Sequence, residues 1–221
     1  MPQRWAIRLS IDGDLRFLSH REIMTAIERT ILRARLPIRY TQGFNPHPIL
    51  SLPCPRPTGV ASKDDLLVMD LNEPDEAIEP DSMLETLNQA GPQGLRCTAA
   101  RILPQRIAPQ PEQIEYRLPL DQRQMQTVRD HLETLDTQPE WTVQRRKKTK
   151  RRSRSEEATR PVDLRPLIGS IRLQDDTLVL DLLSDRQRWA KPAEILGLLG
   201  LDAQTDLARL VRTRTTFDFT P

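Results

Sequence analysis

The sequence predicts an α+β protein built as two tandem ferredoxin-like halves, each with the order β-α-β-β-α-β and a mainly antiparallel sheet. Three observations predict it. Short runs alternate apolar and polar residues between turn-forming residues, the period of a half-buried strand. Between those runs apolar residues recur every three or four positions, the period of an amphipathic helix. The order in which the two patterns follow one another in residues 1–106 returns in residues 107–221 without residue identity, so the chain reads as two halves of similar plan.

In the first half, Trp5 to Ile11 alternates as a strand and Asp12-Gly13-Asp14 turns the chain. Ser19 is placed to cap a helix whose stripe is Ile23, Ile27, Ile31 and Ala34, and Pro37 ends it. Short extended pieces at Ile38 to Tyr40 and near Leu52 flank a proline-rich loop at 41–59, and Leu66 to Leu71 is a buried strand. A helix starts at Asp81 or Ser82, uses Leu84 and Leu87, and stops at Gly91-Pro92; Leu95 to Leu103 returns as a strand. In the second half, Ile114 to Leu120 is a strand and Asp121 opens a helix with the face Met125, Val128, Leu132 and Leu135. Trp141 to Arg145, Ile168 to Leu173 and Leu178 to Leu183 are strands, the last two joined by a turn at Asp175-Asp176, so this half is expected to hold one extra hairpin strand beyond the shared order. Pro192 begins a helix carrying Ile195, Leu196 and Leu199, Gly200 stops it, and Leu210 to Phe219 closes the half as a strand.

Composition removes whole classes of function. At 37% hydrophobic, 29% charged and a mean hydropathy of −0.56, the 221 residues build a core but no membrane span. The longest apolar stretch, Ile195 to Leu201, is about a third of the ~20 residues a bilayer requires, and no signal-like segment follows the N-terminus, so a cytoplasmic location is expected. Two cysteines, Cys54 and Cys97, leave no disulfide framework, no all-cysteine zinc site and no iron–sulfur cluster. No phosphate-binding glycine loop, nucleophile elbow or zinc-protease helix is present, and no metal or cofactor is expected.

The charge is concentrated. Arg145, Arg146, Lys147, Lys148, Lys150, Arg151, Arg152 and Arg154 place eight cations in ten positions, and setting them aside leaves 25 basic against 31 acidic side chains. Such a segment suits a polyanion such as RNA, or else stays a solvated loop. The loop at 41–59 is the other unusual stretch, with Pro46, Pro48, Pro53, Pro55 and Pro57 within twelve residues. Proline stiffens the chain and removes amide donors, so this is a shaped loop rather than a linker.

Candidate chemistry gathers at its ends. His20, after Arg16 and Ser19, and His47, after Gln42, Gly43 and Asn45, are placed to bind phosphate or to act as an acid–base pair for metal-independent RNA cleavage. The alternative is a His20 that only fills a helical turn and a His47 that only packs within its loop. His131 is expected on the surface. Arg165, beyond Asp163, binds an anion or pairs locally, and Arg212 and Arg214, two apart on a strand, share a face that forms a phosphate track if it is open, or else occupy ordinary solvated strand positions.

Asp14-Leu15-Arg16-Phe17-Leu18-Ser19-His20, followed by Tyr40-Thr41-Gln42-Gly43-Phe44-Asn45-Pro46-His47-Pro48, resembles the radical-SAM-linked family, a domain fused to or encoded beside cobalamin-binding radical S-adenosylmethionine proteins. Weaker similarity continues through Asp163-Leu164-Arg165-Pro166 and Val211-Arg212-Thr213-Arg214, while Cys54 and Arg56 depart from the plainer run usual there. The resemblance implies a radical S-adenosylmethionine protein as partner and a place in RNA metabolism; it carries no settled activity. Together these readings lead to an accessory module that presents RNA to that partner, with Arg16, Ser19, His20, Gln42, Gly43, Asn45, His47 and Arg165 as its binding residues. The alternatives are a metal-independent endoribonuclease using His20 and His47, and a subunit that binds only protein.

Overall fold

The computed structural model describes residues 1–73, 76–104, 107–146, 159–185 and 188–220. These form ten strands and five α-helices, an α+β arrangement with mostly antiparallel pairing. Contacts divide the chain into two compact units, residues 1–116 with 208–221, and residues 117–207.

In the first unit, β1 (Gln3–Ile11) lies between β3 (Ala61–Leu71) and β4 (Leu95–Leu103), antiparallel to both. The short β2 (Leu50–Ser51) adds to β3 through Leu50↔Met69. Alternation along β1 sends Trp5, Ile7, Leu9 and Ile11 to one face, where α1 (His20–Arg33) brings Ile23, Ile27 and Ile31 and α2 (Pro80–Ala90) brings Met83 and Leu87. All of these side chains are buried, and each contributes roughly 1.5–3 kcal/mol relative to exposure. A 3-10 turn, Gly13–Phe17, links β1 to α1 and rests on Gly94, whose carbonyl accepts from the Asp12 amide at 2.9 Å. Gly94 has φ +88, and a Cβ there would stand 2.5 Å from the Asp12 carbonyl, so only glycine fits.

This unit also contains the end of the chain. β10 (Val211–Asp218) pairs with β3 in parallel through Val211↔Ala61 and Arg212↔Ser62, giving the order β4-β1-β3-β10-β5, with β5 at Gln110–Pro119.

The second unit has its own elements. α3 (Gln122–Asp136) is capped by Asp121, whose side chain accepts from the Gln124 amide. β6 (Thr142–Arg146) and β7 (Thr159–Asp163) form a separate two-stranded sheet, and β8 (Ile168–Gln174) and β9 (Thr177–Leu183) form a hairpin. α4 (Pro192–Leu198) buries Ile195 and Leu196, and the one-turn α5 (Ala203–Asp206) follows. β7 and α5 are absent from the sequence reading.

The coarse class, mainly antiparallel α+β, stands, and two tandem ferredoxin-like halves are not established: β10, expected to close the second half, lies between β3 and β5, and β6 pairs with β7 in a separate sheet. A period fixes which face a strand buries and leaves its neighbour open.

Candidate functional site

A loop rich in proline has carbonyls to satisfy and few amides to satisfy them, and two arginines answer that shortage. Arg56 donates through Nη1 to the carbonyls of Arg16 (2.7 Å) and Val60 (2.9 Å), and through Nη2 to that of Leu15 (2.8 Å). The Gly59 amide adds a further bond to the Arg16 carbonyl at 2.7 Å, so the 3-10 turn and the far arm of the loop are held together. Burial lowers the pKa of Arg56, an effect that Asp65 opposes.

Arg212 holds the loop from beneath. It is 1% exposed, pairs with Asp65 at 2.8 Å, and donates to the Cys54 carbonyl (2.7 Å), the Pro55 carbonyl (3.2 Å) and the Tyr116 hydroxyl (3.2 Å). Burial alone would depress the Arg212 pKa; Tyr116, Asp65 and Cys54 more than reverse that, and it stands above an arginine's ordinary value. Burial raises the pKa values of Tyr116 and of the Cys54 thiol. The phosphate track expected from Arg212 and Arg214 is thereby overturned: Arg214 is exposed, but Arg212 is buried against a carboxylate and two carbonyls.

The turn residues are partly committed to the fold. Ser19 caps α1, its hydroxyl facing the Glu22 amide while the Glu22 carboxylate accepts from the Ser19 amide at 2.8 Å. That bond, with a second from the Ser19 hydroxyl, lowers the Glu22 pKa. The Arg16 guanidinium lies 4.7 Å from the centre of the Phe17 ring. His20, the first residue of α1, is exposed and borders a cavity of about 10 Å³ with Leu52, Arg56 and Asp65. His47 contributes nothing to that cavity.

The near arm of the loop forms a projecting hairpin. Thr41 and His47 close it, the Thr41 amide donating to the His47 carbonyl (2.8 Å) and the His47 amide to Thr41 Oγ1 (3.0 Å). Between them Gln42, Gly43, Phe44 and Asn45 are all exposed, and the Phe44 ring is 100% exposed. Gly43, at φ +142, makes the bend that presents it. At the foot of this hairpin Thr41, Pro48, Ile49 and Leu50 line a cleft of about 490 Å³ that also reaches the paired Arg4 and Asp70.

The family model described as an uncharacterized protein conserved in bacteria, DUF2344, matches residues 4–192. The chain belongs to that family. No curated protein matches it. The match takes in both arms of the loop and ends before β10, so Arg212 lies beyond it.

The cationic run of this DUF2344 chain is described only at its start. Arg145 forms a two-point pair with Glu194, at 2.8 and 2.6 Å, and donates to the Trp189 carbonyl, so its charge is answered locally. Arg146 follows at the end of β6. Lys147, Lys148, Lys150, Arg151, Arg152 and Arg154 lie outside the described residues. Arg165 donates to the Gln138 carbonyl at 2.8 Å and lies over the Trp141 ring at 5.7 Å, an exposed but engaged side chain. His131 is exposed on α3, as expected.

What the DUF2344 loop can do chemically is present one aromatic face with amides and an imidazole beside it. Sequence reasoning named Gln42, Gly43, Asn45 and His47 but passed over Phe44, whose signal was its place between Gly43 and Pro46. It also left aside Arg56, Asp65 and Tyr116. Arg56, between Pro55 and Pro57, was the legible one: a lone donor-rich side chain among residues that cannot donate.

Proposed function

We propose that this protein is an accessory module that binds single-stranded RNA and presents it to a partner radical S-adenosylmethionine protein. The observation that carries the reading is Phe44, a fully exposed ring on a closed hairpin beside Gln42, Asn45 and His47. Single-stranded RNA is read by stacking an unpaired base on an aromatic face and bonding its edge to amide or imidazole groups. The sequence of 145–154 supplies a phosphate-seeking segment, and the resemblance of the Asp14-to-His20 and Tyr40-to-Pro48 strings supports the choice of partner.

Binding of labelled single-stranded RNA to the wild-type protein and to Phe44→Ala tests the reading. Stacking contributes about 1–3 kcal/mol per base, so Phe44→Ala is expected to weaken binding about tenfold while leaving the salt slope unchanged. Unchanged affinity in Phe44→Ala removes the loop from the interface, and no RNA affinity even at low salt removes RNA. If a radical S-adenosylmethionine protein is instead captured after nuclease treatment, and Phe44→Ala abolishes that capture, the loop is a protein anchor.

A further inference from the structure

We infer a second binding site on the helix-free face of the β1–β3–β4 sheet, shaped for one nucleotide, a planar base carrying a phosphate. It does not rest on the reading of the 41–47 loop. Because Trp5, Ile7 and Leu9 point into the core, Ala6 and Arg8 point to the opposite face. Across β4 their partners are Arg101 and Ala99. Two alanines therefore make a low floor at the centre of the sheet, and a groove of about 390 Å³ opens there, walled by Arg8, Arg101, Leu66 and Phe219. Its size is in the range of small-molecule sites.

The walls carry the chemistry. The Arg101 guanidinium lies 4.0 Å from the centre of the Phe219 ring, and the Arg8 guanidinium 5.0 Å from that of Phe217. Each arginine lies over a ring, and the exposed Arg101 offers its other side for a base to stack on. Arg8 is positioned by Asp64 (2.9 Å) and the Thr215 carbonyl (2.8 Å), both through Nη1, which leaves Nε and Nη2 without a partner among the described residues. Asp64 neutralises one charge only. Arg101 and Arg96, which pairs opposite Ser10 on the same face, have no acidic partner among the described residues, so the face is net positive and selects an anion.

Titration calorimetry of the full-length protein tests this with the four ribonucleoside monophosphates, adenosine, inorganic phosphate and a pentaribonucleotide. Monophosphates are expected to bind at least about tenfold more tightly than adenosine or phosphate, since ring and charge are both engaged. Arg101→Ala, which removes the stacking cation, and Ala99→Leu, which fills the groove, are each expected to weaken binding about tenfold with the melting temperature kept. The same pattern with the pentanucleotide alone supports the site and makes its nucleotide part of a strand. Phosphate binding as tightly as a monophosphate, affinity unchanged in both groove variants, or no binding of monophosphate or pentanucleotide overturns the inference.

Discussion

Arg212 illustrates how one side chain can matter to a loop more than the loop's own residues. Its charge is buried, and its partners are a buried carboxylate and two carbonyls that no proline nitrogen can serve. Arg212→Met keeps the volume but leaves Asp65 uncompensated, so it is expected to cost about 3–5 kcal/mol in urea unfolding. Adding Asp65→Asn to Arg212→Met is expected to cost less than the two single losses together, because each single change strands the other partner. Cys97 gives a pH-dependent counterpart. Burial pushes its thiol from 9.0 up to about 11. A raised folded-state pKa means that this stabilising contribution is complete below pH 9 and is lost as the pH climbs toward 11. Unfolding midpoints measured from pH 7 to 11 should therefore fall less steeply in Cys97→Val than in the wild type; the remaining slope includes Tyr116, whose pKa burial also raises.

At the scale of elements, those with a local signature were legible and those defined by a partner were not. α1 was readable because Ser19 and Glu22 cap it and three isoleucines mark its buried face; β4 was readable because its ends are set by Gly94 and Pro104. Thr159-Arg-Pro-Val-Asp shows no alternation and contains Pro161, and it is a strand because β6 lies beside it. The candidate site divides in the same way. The exposed hairpin at 41–47 was visible as a motif, whereas the groove beside Arg101 required knowing which residues stand across the sheet from Ala6 and Arg8. Ser19, expected to bind ligand, tests the distinction. As a cap its replacement by alanine should cost about 1 kcal/mol of stability, and RNA affinity should change less than twofold; a large loss of affinity at unchanged stability would return Ser19 to the interface.

The molecule as a whole closes its first unit with its last strand. Arg212 and Asp65 are separated by 147 positions, yet they form the buried pair of that unit. Ordering so distant a pair carries a loop-closure cost that only the complete set of contacts repays, and a topology of this kind folds late and as one piece. Ending the chain after Leu207 removes all of β10. It exposes the edge of β3 at Ala61 and Ser62, leaves Asp65 without a cation, and takes the donor from the Cys54 and Pro55 carbonyls. An unpaired edge and an unpaired buried charge together exceed what a unit of ordinary stability withstands. The 1–207 fragment is expected to lose the cooperative melt of the first unit, followed as the part of the near-ultraviolet circular dichroism that Trp5→Phe removes, since Trp141 and Trp189 belong to the second unit. A synthetic peptide of residues 208–221 is expected to restore that melt in a concentration-dependent way, and the same peptide with Arg212→Met is expected to fail. Restoration by the substituted peptide would show that strand pairing alone, and not the buried cation, completes the unit.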